Sequence, residues 1–152
     1  MSQNFTLQPL LDLMRDRTDE ATRQLGKLIA AEQNARSRLQ MLEQYRAEYA
    51  ERMRAGIAQG LTIQAINNYQ EFLQRIDTAI EQQARQVQLS ENETGRGKQH
   101  WQEQNTRMKA IDTLAVRHDE KLRAQENKQE QKLLDEFSSR QFSQRKIEGE
   151  SD

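Results

Sequence analysis

The 152-residue chain has no cysteine, which excludes disulfides, thiol nucleophiles and thiolate metal sites and suits a reducing compartment. Proline occurs once, as Pro9, and aromatic residues make up 5% of the chain. With one helix breaker and few β-branched residues, none of them alternating, strands are not expected and long helices are. No apolar run is long enough to cross a bilayer, and the first residues have neither the basic start nor the apolar block of a secretion signal. The expected location is cytoplasmic, with no transmembrane segment and any membrane contact peripheral. An excess of positive charge is also missing: 23 Lys and Arg stand against 24 Asp and Glu. That balance argues against nucleic acid and for protein partners.

The usual signatures of chemistry are equally scarce. The two histidines, His100 and His118, lie about five helical turns apart and cannot share a metal from one helix. Gly95-Arg96-Gly97-Lys98 is glycine-rich and basic, but it lacks the spacing of a phosphate loop and follows no strand. Carboxylates sit among Lys and Arg at neighbouring helical positions, as Glu20 with Arg23 and Glu48 with Arg52, the pattern of a solvated helix face. No catalytic residue, metal ligand or cofactor is assigned, and the chain is not read as an enzyme.

What is present is periodicity. Steps of four and three from Leu7 meet Leu11, Met14, Thr18, Ala21, Leu25, Leu28, Glu32, Ala35, Leu39, Leu42, Arg46, Tyr49 and Met53, and eleven of these fourteen positions are apolar. A 3.5-residue period sustained over nearly seven heptads specifies a coiled-coil helix. Its exceptions, Thr18, Glu32 and Arg46, recur every fourteen residues and suit a register-fixing role. The pattern stops at Ala55. Gly56 and Gly60 then bracket a segment that can reach positive φ, and Thr62 is a candidate N-cap. A second seam follows through Ile66, Tyr69, Leu73, Ile76, Ile80, Gln83, Val87, Ser90, Thr94, Gly97, Trp101, Gln104, Met108, Ile111, Ala115, His118 and Leu122. It weakens from Ser90 to Gly97, where two glycines and no apolar residue predict a frayed, bent or broken helix.

The fold class is therefore all-α: a long antiparallel two-helix coiled-coil hairpin whose second helix is longer and overhangs at the termini end. The expected organisation is one domain over residues 1–142, with helices at about 5–54 and 63–140, a turn at about 55–62, and a flexible polar tail over 143–152. Folding back at the turn sets Tyr49 beside Tyr69 and Leu42 beside Ile76, and places Trp101 near Thr18 in a packing role. Once the first helix runs out, Leu114, Val116, Leu122, Leu133, Leu134 and Phe137 have little of their own chain to cover them, so the overhang is a natural protein-binding element. Tyr45 and Phe72 lie one position off the seam on opposite helices, level with each other. With Leu42, Tyr49 and Leu73 they form an apolar patch just below the turn.

MLEQYRAEY (41–49), the glycine turn, INNYQEFLQRIDTAIEQQ (66–83), the isolated Trp101 and DEFSSR (135–140) together resemble the FliJ family of the bacterial flagellar type III export apparatus. The resemblance runs along essentially the whole chain, and the succession Y-x-x-x-Y, turn, N-Y-Q-x-F is its most specific part. It implies a non-enzymatic stalk, similar to the central stalk subunit of rotary ATPases. Such a protein links the hexameric export ATPase to the cytoplasmic part of the membrane export gate and helps recycle export chaperones, so that it is needed for flagellum assembly, motility and chemotaxis. It would lie at the cytoplasmic face of the inner membrane, at the flagellar base. The positions matching the family's gate-binding surface are Leu42, Tyr45, Tyr49, Phe72 and Leu73, with Ala79 at the margin. Those assigned to the ATPase are Leu122, Leu133, Leu134 and Phe137. The alternatives are an injectisome stalk protein of the same architecture and a structural coiled coil that self-associates.

Overall fold

The computed structural model describes residues 5–150. It contains two helices, α1 (Gln8–Ala58) and α2 (Ile63–Glu150). Pro9 falls in the first turn of α1, where its missing N–H costs no intrahelical bond. The connection is built by two glycines doing different jobs. Gly60 alone among the described residues has positive φ, at 92°; the Leu61 amide donates to the Gly56 carbonyl and the Gly60 amide to the Ile57 carbonyl, each at 3.1 Å. This pair of bonds is a Schellman ending. Gly56, by contrast, lies within α1, and a Cβ there would stand 2.4 Å from Leu61 Cδ1. Its value is space for the leucine that closes the motif. Thr62 then caps α2, its hydroxyl accepting from the Ala65 amide at 3.2 Å. Helix α1 thus runs four residues beyond the end expected near Arg54, because the glycine signal at 56 concerns packing rather than termination.

The chain divides into two compact units, Asp16–Asn105 and Met1–Arg15 with Thr106–Asp152. In the first, α1 and α2 pack antiparallel, and cross-helix contacts advance along α2 as they retreat along α1. Tyr49 meets Tyr69, ring centroids 6.1 Å apart. The Arg46 guanidinium pairs with Asp77 through both carboxylate oxygens, and Arg36 bridges Glu91. Gln83 Nε2 donates to the Ala35 carbonyl at 2.9 Å, Thr94 Oγ1 to the Leu28 carbonyl at 3.3 Å, and Trp101 Nε1 to Thr22 Oγ1 at 2.8 Å. Exposed ion pairs stabilise by about 0–1 kcal/mol each; their main effect is to favour one register. Of the polar seam residues, Arg46 acts across the seam itself, Glu32 orients Arg36, and Thr18 accepts at its carbonyl from the Thr22 hydroxyl that also receives Trp101. Trp101 therefore packs one turn beyond the position expected.

The seam is the core. Within this unit every four-three position from Thr18 to Met53 and from Ile66 to Gln104 is buried or half-buried, with Ala21, Ala35, Leu73, Ile76 and Val87 the most enclosed apolar residues. The predicted disruption at 90–97 does not occur. Helix α2 is continuous there, and Ser90 and Thr94 are buried. A Cβ on Gly97 would lie 2.6 Å from Leu28 Cδ1, so small seam residues let the two helices approach closely where large apolar ones are lacking.

In the second unit, Leu11 and Met14 of α1 are buried and the Arg15 guanidinium bridges Asp112 at 3.2 Å. His118 faces Phe5 with ring centroids 5.4 Å apart. From Arg123 onwards every described side chain is exposed. Helix α2 nonetheless continues to Glu150, past the end expected near Arg140 and through the described part of the expected tail at 143–152. Gln, Arg, Lys and Glu dominate that stretch and carry high intrinsic helix propensity.

Candidate functional site

Two uncovered apolar surfaces stand out, one in each unit. The first belongs to Asp16–Asn105 and lies beside the turn. Tyr45 and Tyr49 project from successive turns of α1, Tyr69 and Phe72 from α2. Tyr49 is the hub: its ring centroid lies 4.5 Å from Phe72, 5.1 Å from Tyr45 and 6.1 Å from Tyr69. Tyr45 reaches Phe72 edge-on at 6.3 Å. These separations suit tilted and edge-to-face aromatic packing. Tyr45 is 45% exposed. A hydrogen bond with Tyr49, reinforced by the unfavourable approach of two phenolates, raises its phenol above the ordinary value.

The site residues expected from sequence divide by burial. Tyr45 offers open surface; Leu42, Tyr49, Phe72 and Ala79 are half-buried. Leu73, 8% exposed, lies within the seam and presents almost nothing to a partner. Other residues are not evident from the sequence. Ala65, Asn68 and Tyr69 line, with Tyr49 and Phe72, a groove of about 360 Å³ that extends the cluster towards the turn. Their spacing of three and four along α2 is legible, but periodicity assigns Tyr69 to the seam alone. Arg52, expected beside Glu48, instead sets its guanidinium 5.4 Å from the Tyr49 ring centroid. The pairing expected of Glu20 and Arg23 does form, at 3.2 Å.

The second surface is the uncovered part of α2. Leu122 is half-buried, whereas Leu133, Leu134 and Phe137 are 66%, 65% and 59% exposed. Phe142 and Ile147 are more exposed still, and sequence reasoning misses them because it places them beyond the helix. Phe137, Arg140, Gln141, Gln144 and Ile147 share a shallow surface depression. Leu133, Phe137, Arg140, Gln144 and Ile147 follow four-three spacing, a helix face that suits another helix more than a small molecule.

Neither surface gathers catalytic groups. Among the described residues no cluster of three His, Cys, Asp or Glu could hold a metal ion, and no helix is long and apolar enough to cross a membrane. His100 is exposed and His118 half-buried, and they sit in different units.

Known proteins resemble the chain in both fold and sequence. A solved structure from Chlamydia trachomatis, described as that of a YscO homologue, has a similar fold, with a TM-score of 0.54 and 16% identity over 91% of this chain and 94% of that one. A flagellar FliJ protein of Salmonella typhi is 32% identical over 140 residues, covering 92% of this chain and 95% of the relative. That of Escherichia coli K12 is 31% identical over the same shares. Residues 3–146 match the family described as flagellar FliJ protein. With that match and these identities over nearly its full length, the chain belongs to the FliJ family, a non-enzymatic component of flagellar protein export.

Proposed function

We propose that the chain couples the hexameric flagellar export ATPase to the cytoplasmic part of the export gate, and that it helps to recycle export chaperones. The supporting observation is the pair of uncovered apolar surfaces, carried by different units and built differently. A cluster of four rings flanks two packed helices, and a single helix carries Leu133, Leu134 and Phe137 largely exposed. Contiguous apolar surface of this kind is typical of protein contact sites. The ring cluster, with Leu42, Tyr45, Tyr49 and Phe72 at its surface and Leu73 buried beneath, faces the gate. The uncovered helix, entered at Leu122, faces the ATPase. Bound in this way the chain sits at the cytoplasmic face of the inner membrane at the flagellar base, and its loss blocks flagellum assembly, motility and chemotaxis.

The test uses purified partners. Tyr45→Ala with Phe72→Ala abolishes capture of the gate's cytoplasmic part while helical content and ATPase capture persist. Truncation after Leu122 does the reverse. Undiminished gate capture by the double variant would remove the gate assignment, and undiminished ATPase capture by the truncated chain would remove the other.

A further inference from the structure

The groove beside the ring cluster has a composition of its own. Tyr49, Tyr69 and Phe72 give it an aromatic lining, to which Ala65 adds a small apolar side chain and the exposed Asn68 a carboxamide. That carboxamide has no hydrogen-bond partner among the described residues. The charges nearby are unevenly satisfied. Arg46 is paired with Asp77, Arg54 with Glu51 and Arg75 with Glu71. Arg52 makes no ion pair among the described residues; its guanidinium lies over the Tyr49 ring.

We propose that this groove receives an acidic segment of the export gate that carries one large apolar side chain. The side chain lies among Tyr49, Tyr69 and Phe72, the Asn68 carboxamide bonds the segment's backbone, and a carboxylate next to the apolar residue meets Arg52. The proposal rests on the ring cluster being the gate-facing surface. It adds the groove as the anchoring point and the sign of the charge beside the anchor. Apolar burial supplies attraction, while the carboxylate on Arg52 selects among segments that offer a similar side chain.

The experiment titrates isotope-labelled full-length chain with two short peptides. Each carries a single Phe, flanked in one by Asp and Glu and in the other by Lys. The acidic peptide should bind about fivefold more tightly, the range of one exposed charge pair, and shift the amide signals of Ala65, Asn68 and Tyr69. Arg52→Glu should reverse the preference, Asn68→Ala should weaken both peptides, and Arg52→Glu should also weaken capture of the gate's cytoplasmic part. Equal affinities, or shifts elsewhere on the chain, would overturn the proposal. Movement of the same signals on changing protein concentration alone would also overturn it, since a second copy would then fill the groove. If Arg52→Glu leaves gate capture intact while Tyr45→Ala with Phe72→Ala abolishes it, only the groove assignment falls. If the double variant leaves gate capture intact, the gate reading itself falls, whatever the peptides do.

Discussion

Gly97 of α2 lies so close to Leu28 of α1 that a Cβ on the glycine would stand 2.6 Å from the leucine's Cδ1. Two residues earlier Gly95 faces open space. The pair separates the helix-propensity cost of glycine from its packing value. Gly95→Ala should stabilise the protein by about 1 kcal/mol, seen as a rise in melting temperature of ~3 °C. Gly97→Leu should lower the melting temperature, because the branched side chain has to displace Leu28 and prise the helices apart. Equal responses at the two positions would show that the close approach contributes nothing.

At the turn, Gly60 holds φ at 92°. Gly60→Ala should cost about 1–2 kcal/mol from the left-handed backbone alone, although nothing lies within 4 Å of the added methyl. Denaturant unfolding gives this as a lower midpoint with an unchanged slope. A changed slope would indicate that the turn had been rebuilt.

Gln104 is buried on the seam and its Oε1 has no hydrogen-bond partner among the described residues. Gln104→Met, similar in length and free of the amide, should raise stability by about 1–2 kcal/mol. A loss of stability would mean that the amide contributes a contact which methionine cannot replace.

Tyr45 and Tyr49 should respond differently to alanine. Tyr49 is half-buried and central to three ring contacts, so Tyr49→Ala should lower stability by about 2–3 kcal/mol. The more exposed Tyr45 touches the cluster at its edge, and Tyr45→Ala should cost under ~1 kcal/mol. Thermal melts of the two single variants check the ordering.

The core is legible in the sequence because a coiled-coil seam is a one-dimensional code. From Leu11 onwards the four-three steps name enclosed positions along both helices. Two misreadings come from treating glycine as a stop signal. Gly56 and Gly97 both lie within helices and serve close contacts, something visible only once the opposing leucines, Leu61 and Leu28, are in place. The ring cluster is legible in outline, since Tyr45 and Phe72 fall off the seam by one position. Tyr49 is placed in the patch by sequence too, but its central position is not, because it obeys the seam period and still turns its ring towards Tyr45 and Phe72. The groove at Ala65 and Asn68 depends on how those rings tilt, which spacing does not specify. The continuation of α2 to Glu150 requires weighing propensity against the absence of a partner helix, and propensity prevails there.

The four-residue connection between Ala58 and Ile63 has a mechanical consequence. Within Asp16–Asn105 the cross-helix contacts lie in sequential order from the turn: their separation along the chain is 31 residues at Arg46–Asp77, 48 at Gln83–Ala35, 66 at Thr94–Leu28 and 79 at Trp101–Thr22. Force drawing Asp16 and Asn105 apart therefore loads the contact farthest from the turn first and breaks the rest one by one. Force sliding one helix lengthwise along the other loads them all together. The same weak bonds thus yield to peeling and resist shear, and the direction of a pull matters more than its size.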